Sequence, residues 1–169
     1  MSVQLQNTSR KVSFAIILTA GLVAGTLDIS SAFIDYYIGT GKNPLGILNY
    51  VASGAFGKST PFGNTGMMIA GLVFHYIIAF SFTIFFFWLY TRIPFLSANR
   101  ILTGLLYGIF VWLIMNLIVV QLSNAPHAAI KDMKLARVTK SMLILIFMIG
   151  MPLSFIAYNY FYGKNKRNA

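Results

Sequence analysis

The stretch L-T-A-G-L-V-A-G-T-L-D-I-S-S-A-F-I-D-Y-Y, residues 18–37, decides the fold class of this chain. It is mostly apolar and contains no lysine or arginine, yet it holds Asp28 and Asp35, two of only 3 acidic residues in the protein. A run of about 20 apolar residues is long enough to cross the hydrocarbon core of a bilayer as a helix. The stretch therefore predicts a transmembrane helix that carries two carboxylates towards its C-terminal end.

The composition of the whole chain also indicates a membrane protein. Of its 169 residues, 57% are hydrophobic and 9% are charged, whereas soluble chains carry roughly a quarter charged residues. The net charge of +10 comes from basic residues that lie between or beyond the apolar runs, as is typical of groups that contact anionic lipid headgroups. Nucleic-acid binding would need a basic face on a soluble fold. We therefore expect the lipid bilayer, and no nucleic acid, as a partner.

Four apolar runs are long enough to span a membrane, at about residues 12–34, 67–90, 101–120 and 141–162. Because backbone polar groups in lipid must be satisfied within their own element, we expect helices. Residues 44–56 begin with proline and have apolar side chains at helical spacing, but are too few to span. The predicted fold class is all-α, a single integral-membrane domain over residues 1–169 with four transmembrane helices and a short interfacial or re-entrant helix.

The first run has one alternative interpretation, a cleaved signal peptide, because it follows basic residues and contains small ones. Its apolar length exceeds the about 7–15 residues of a typical signal-peptide core, so we expect a retained helix. The density of Lys and Arg near the helix ends favours cytoplasmic termini. The cluster Lys131, Lys134, Arg137 and Lys140 argues for the opposite orientation.

Small residues recur at spacings of three and four in three of the predicted spans, a pattern that allows helices to approach closely. They are Gly21 and Gly25 in the first span, Gly104 and Gly108 in the third, and Gly150 and Ser154 in the fourth. We expect them to pack helices within the chain, with homodimerisation as the alternative. Pro152 predicts a kink near the middle of the fourth helix.

Polar side chains of three spans are predicted to lie at one level of the membrane. Because successive helices alternate in direction, the first span ends on the face where the second begins and the third ends. At 1.5 Å per residue, Asp28 lies ~9 Å below that face, His75 ~12 Å and Asn116 ~6 Å. Asp35 lies nearer the surface. An ionised carboxylate in lipid is unfavourable by a few kcal/mol and usually faces the helix bundle.

These positions predict a polar pocket formed by Asp28, Asp35, His75 and Asn116 that holds a proton, a cation or a small polar solute. Two alternatives stay open. In the first, the four residues form a buried polar cluster that only fixes helix register. In the second, Asp28 faces a partner protein. The corresponding function hypotheses are a solute- or ion-binding membrane protein and an accessory or scaffold subunit of a larger membrane complex. A homo-oligomer fits the first hypothesis.

No pattern in the sequence indicates an enzyme, a metal site or a cofactor. His75 and His127 are the only histidines, and the chain has no cysteine. These residues are too few to form a zinc or haem site. The stretch A-S-G-A-F-G-K-S-T, residues 52–60, resembles a phosphate-binding loop. That motif needs a strand before it and a helix after it. Here an apolar helix precedes the stretch and Pro61 follows, so we expect no nucleotide.

Four stretches resemble a family of small bacterial inner-membrane proteins of unknown function. They are L-T-A-G-L-V-A-G-T-L-D-I-S-S-A-F, L-N-Y-V-A-S-G-A-F-G-K, G-L-L-Y-G-I-F-V-W-L-I-M-N and G-M-P-L-S. The resemblance implies four helices in the bacterial cytoplasmic membrane, and it carries no activity. Residues within the shared stretches are Asp28, Asn49, Gly57, Lys58, Asn116, Gly150 and Pro152.

Overall fold

The computed structural model describes residues 12–57, 63–126 and 134–163, and within these ranges the chain is helical without strands. The helices, in chain order, are α1 (Phe14–Thr40), α2 (Gly46–Phe56), α3 (Thr65–Arg92), α4 (Phe95–Ala98), α5 (Arg100–Leu122) and α6 (Leu135–Tyr162). Four of them, α1, α3, α5 and α6, are long and apolar enough to cross a membrane. The prediction of an all-α polytopic membrane protein is confirmed.

The helix ends follow from local hydrogen bonding. The side chain of Ser13 accepts a hydrogen bond from Ala15 N at the start of α1, and Asn64 and Asn99 do the same at the starts of α3 and α5. These caps satisfy amides that have no partner inside the helix. Helix α1 ends at Gly41, whose φ of 66° is left-handed and suits glycine. The helix thus continues from the predicted end of the span at residue 34 to Thr40.

The small residues of α1 lie against α3. A Cβ atom on Gly21 would overlap the ring of Phe80, and one on Gly25 would lie 3.2 Å from Ala79 Cβ. The earlier glycine of α1, Gly21, thus lies against a later residue of α3 than Gly25 does. The two helices therefore run antiparallel.

The small residues of the last two spans form a second antiparallel contact. A Cβ on Gly150 would overlap the carbonyl of Gly104 and lie 2.9 Å from Gly108 N. Ser154 Oγ donates a 2.6 Å hydrogen bond to the carbonyl of Arg100. All six residues predicted for helix packing thus lie at contacts within the chain.

The buried core lies in the half of the bundle where α3 ends and α5 begins. Phe86, Phe87 and Tyr107 are almost fully buried there, together with Leu153 of α6. Tyr107 Oη donates a 2.6 Å hydrogen bond to the carbonyl of Phe82, which ties α5 to α3. Aromatic packing closes this half of the bundle, and the cavity described below lies in the other half.

Helix α2 forms within the segment predicted to be a short helix, and it packs against the first half of α3. Gly71 makes this contact possible, because a Cβ there would overlap the carbonyl of Leu48. The far end of α2 is held by Asn124 N, which donates a 3.0 Å hydrogen bond to the carbonyl of Gly54. Helix α2 is therefore fixed at both ends to transmembrane helices or their connections.

Two of the long helices contain a π turn, at Met115–Val119 in α5 and at Ile146–Gly150 in α6. The second comes immediately before Pro152, which has no N–H to donate and whose ring conflicts with the carbonyl four residues earlier. A π turn accommodates that conflict without ending the helix. A π turn thus lies on the N-terminal side of Pro152, and the kink predicted there stays a prediction.

Candidate functional site

A cavity of about 290 Å³ lies between the transmembrane helices and α2. It extends from the middle of α1 and α3 to the end of α5, where Ser123 and Ala125 line it. Most of its wall is apolar. The side chains with polar groups are Asp28, Tyr50, His75 and Ser123.

Asp28 is the only acidic residue among the described residues of this wall, and α1 holds it at a partly buried position. Its carboxylate accepts no hydrogen bond from any residue that the structure describes, since Ser31 Oγ bonds the main-chain carbonyl of Asp28 instead. The imidazole of His75 lines the same cavity. Asp28 therefore has an ionisable neighbour but no hydrogen-bond donor among the described residues.

His75 lies on α3 and is buried. Its Nε2 lies 2.8 Å from the carbonyl oxygen of Gly25. A peptide oxygen can only accept, so Nε2 carries the proton and Nδ1 is an acceptor when the ring is neutral. The missing side chain of Gly25 lets α3 approach closely enough for this bond. The bond fixes the tautomer and the orientation of the imidazole beside Asp28.

Three aromatic rings line part of the remaining wall, which is otherwise mainly aliphatic. Tyr50 comes from α2, and Phe74 and Phe82 come from α3. Ser123 adds a hydroxyl, but that hydroxyl donates to the carbonyl of Val120 at 2.8 Å. The cavity thus combines one carboxylate and one imidazole with an apolar, partly aromatic surface.

Asn116 does not line the cavity. Its Nδ2 donates a 3.0 Å hydrogen bond to the carbonyl of Trp112 in its own helix. The reason lies in the backbone, because Asn116 falls in the π turn Met115–Val119. A π turn holds more residues per turn than the 3.6 of an α-helix, so a depth and face counted from α-helical geometry do not apply there.

Asp35 also lies away from the cavity, in an ion pair with Lys140 that links α1 to α6. Both side chains are substantially exposed, at 41% and 57%. The structure therefore brings together Asp28 and His75 of the four predicted pocket residues, and it does not bring Asp35 and Asn116 to them.

The aromatic rings of the wall and the contribution of α2 were not predicted from the sequence. Phe74 is one position before His75 and therefore lies on a neighbouring part of the surface of α3. Its place beside the cavity could have been predicted from the sequence for that reason. Tyr50 could be assigned only once the docking of α2 was known. Asn49, next to it, is 1% exposed, and neither atom of its amide group has a hydrogen-bond partner in the described parts of the chain.

The described residues contain no group of three or more His, Cys, Asp or Glu side chains that could hold a metal ion. His127, Lys58 and Pro61 lie outside the described residues. The segment before the phosphate-loop-like stretch is a helix, α2, rather than the strand that a nucleotide-binding loop requires. The expected absence of metals, cofactors and nucleotides stays a prediction.

Comparisons of the chain with protein-family models, with curated proteins and with solved structures give no match.

Proposed function

We propose that this integral membrane protein binds a cation or a small solute in the cavity, with Asp28 as the charged binding group and His75 beside it. One observation carries the proposal: the carboxylate of Asp28 lines a cavity within the bundle and accepts no hydrogen bond from the described residues. A carboxylate within a membrane bundle usually has a partner, because leaving it unpaired costs a few kcal/mol. A bound ligand or proton in the cavity would meet that need.

The geometry gives less support to a purely structural role for Asp28. A residue that fixes helix register is expected to hydrogen-bond across an interface, as Ser154 does with Arg100 and Tyr107 does with Phe82. The side chain of Asp28 makes no such bond to the described residues. The accessory-subunit hypothesis rested on the small-residue stripes and on the absence of an enzymatic pattern in the sequence. The residues of the stripes pack within the chain, which removes the first of these grounds.

The membrane and the orientation are part of the same proposal. The resemblance to small inner-membrane proteins supports the bacterial cytoplasmic membrane. The density of Lys and Arg near the helix ends supports cytoplasmic termini. We propose no catalytic activity.

Thermal unfolding in lipid nanodiscs tests the proposal. Wild type, Asp28→Asn and Asp35→Asn would each be melted with a panel of alkali and divalent cations, organic ammonium ions, carboxylates and sugars. Asp35→Asn is the matched control, because it makes the same change in the same helix away from the cavity. A ligand at 100 times its Kd stabilises the folded state by about 2.7 kcal/mol.

We expect at least one class of compound to raise the melting temperature of wild type and Asp35→Asn but not of Asp28→Asn. Helical circular dichroism and a single gel-filtration peak would establish that Asp28→Asn is folded. Should that variant fail to fold, His75→Gln replaces it in the same comparison. If no compound stabilises wild type, or if every stabilising compound acts equally on Asp28→Asn, the proposal is wrong.

A further inference from the structure

The charges in the cavity wall favour a cationic ligand. When it is ionised, Asp28 brings a negative charge, and no Lys or Arg is among the described residues that line the cavity. The one basic group is His75, whose Nε2–H is already donated to the carbonyl of Gly25. An anion would meet the carboxylate without a compensating cation, and in a medium of low dielectric constant that repulsion is strong.

The same wall lacks the groups that an inorganic cation needs. Ca²⁺ takes about six to eight oxygen ligands, and Mg²⁺ requires a nearly ideal octahedron of them. Among the described residues, the side-chain oxygens in the wall belong to Asp28, Tyr50 and Ser123, and the Ser123 hydroxyl already accepts a hydrogen bond from Ala125 N. A bare ion would therefore lose more hydration than these oxygens can replace.

The aromatic part of the wall suits an organic cation. Tyr50, Phe74 and Phe82 line the cavity together with aliphatic side chains such as Ile78 and Val119. Aromatic faces attract organic ammonium groups, and quaternary ammonium ligands are commonly recognised in this way. The volume of about 290 Å³ lies just below the roughly 300–1,000 Å³ usual for ligand pockets, which suits a small ligand.

We propose that the ligand is a small organic monocation with an apolar body. Its ammonium group lies beside the carboxylate of Asp28, and its apolar part lies against Tyr50, Phe74 and Phe82. This inference rests on the proposed function and narrows it to one chemical class.

The test is equilibrium dialysis of radiolabelled benzyltrimethylammonium against the protein in nanodiscs, with empty nanodiscs as the blank. The neutral carbon analogue, neopentylbenzene, serves as a competitor of the same shape without the charge. Potassium and benzoate are the inorganic and anionic competitors. The proteins are wild type, Asp28→Asn, Phe82→Leu and the control Asp35→Asn.

We expect saturable binding to wild type that neopentylbenzene, potassium and benzoate displace at least tenfold less well than unlabelled probe. Asp28→Asn should weaken binding by at least tenfold, and Phe82→Leu by about two- to fivefold, the range for a lost cation–π contact at a modestly exposed site. Asp35→Asn should stay within twofold of wild type.

The outcomes separate the two proposals. If the probe does not bind but an inorganic cation or a neutral solute stabilises the protein in a manner that depends on Asp28, the inference is wrong and the proposed function stands. Equal binding of the probe to wild type and Asp28→Asn, or equal competition by neopentylbenzene, also overturns the inference. If nothing binds in a manner that depends on Asp28, both proposals fail.

Discussion

Replacement of Gly71 by alanine should displace α2 from α3 and thereby open the wall of the cavity. The new methyl group would overlap the carbonyl of Leu48 and lie 3.1 Å from its Cα. These are backbone atoms, which cannot rotate away as a side chain can. Helix α2 must therefore move as a unit or lose its contact with α3.

The size of the effect follows from two opposing contributions. Alanine is more favourable than glycine within a helix by about 1 kcal/mol. Overpacking costs typically about 1–3 kcal/mol, and a clash with backbone lies at the upper end of that range. We expect a net cost of about 1–2 kcal/mol, which falls on the contact between α2 and α3. At about 1.4 kcal/mol per factor of ten, the population with α2 displaced rises about 5- to 30-fold.

Cysteine labelling measures that population, because the chain contains no cysteine of its own. Ser53→Cys on α2 changes few atoms at a position that is only 6% exposed. In nanodiscs, a maleimide should label this cysteine about 5- to 30-fold faster in the Gly71→Ala background. The control is Gly39→Ala, where a Cβ meets nothing within 4 Å. An unchanged rate with Gly71→Ala, or the same acceleration with Gly39→Ala, would refute the reasoning.

Three further variants test the helix contacts by unfolding in mixed micelles. Gly150→Ala should lower the free energy of unfolding by about 1–2 kcal/mol, because its methyl group meets the backbone of α5 and the cost of overpacking exceeds the helix preference of alanine; a loss no larger than that of Gly39→Ala would contradict this. Ser154→Ala should cost about 0.6–1.7 kcal/mol, the value of an interhelical hydrogen bond in a membrane, and no loss would mean that its 2.6 Å bond is absent. Lys140→Gln should lower the free energy of unfolding by at most about 1 kcal/mol, because its ion pair with Asp35 is half-exposed. Salt should reduce the difference from wild type, and a difference that does not depend on salt would contradict the ion pair.

Two kinds of feature could be predicted from the sequence: those that depend on hydropathy summed over many residues, and those that depend on the regular rise of an α-helix. The four spans follow from hydropathy added over about 20 residues, which single positions change little. The pairing of Asp28 with His75 follows from counting 1.5 Å per residue along α1 and α3, and both helices are regular α-helix throughout. Local and additive properties of the sequence were sufficient there.

The pocket residues that were predicted wrongly lie where a helix departs from regular α geometry or extends beyond its apolar run. Asn116 lies in a π turn, so α-helical counting gave it the wrong surroundings. Asp35 finds Lys140 because α6 begins at Leu135, well before the apolar run at residue 141. Hydropathy locates the part of a helix that suits lipid, and it does not detect polar turns that extend beyond it. Tyr50 depended on the docking of α2, which is a tertiary contact.

The two π turns have a consequence for how this chain can change length. In an α-helix, deleting one residue rotates everything after it by about 100°, which would turn the packed face of the helix outwards. A π turn bonds each amide to the carbonyl five residues back, so it holds one residue more than the α pattern needs. Deletion of one residue within Met115–Val119 would convert that turn to α-helix and leave the faces on both sides in register. The turn Ile146–Gly150 lacks this freedom, because an α-helical turn there would bring a carbonyl against the ring of Pro152. Helix α5 can therefore lose a residue at its π turn, whereas the same deletion in α1 or α3 would misalign Asp28 or His75.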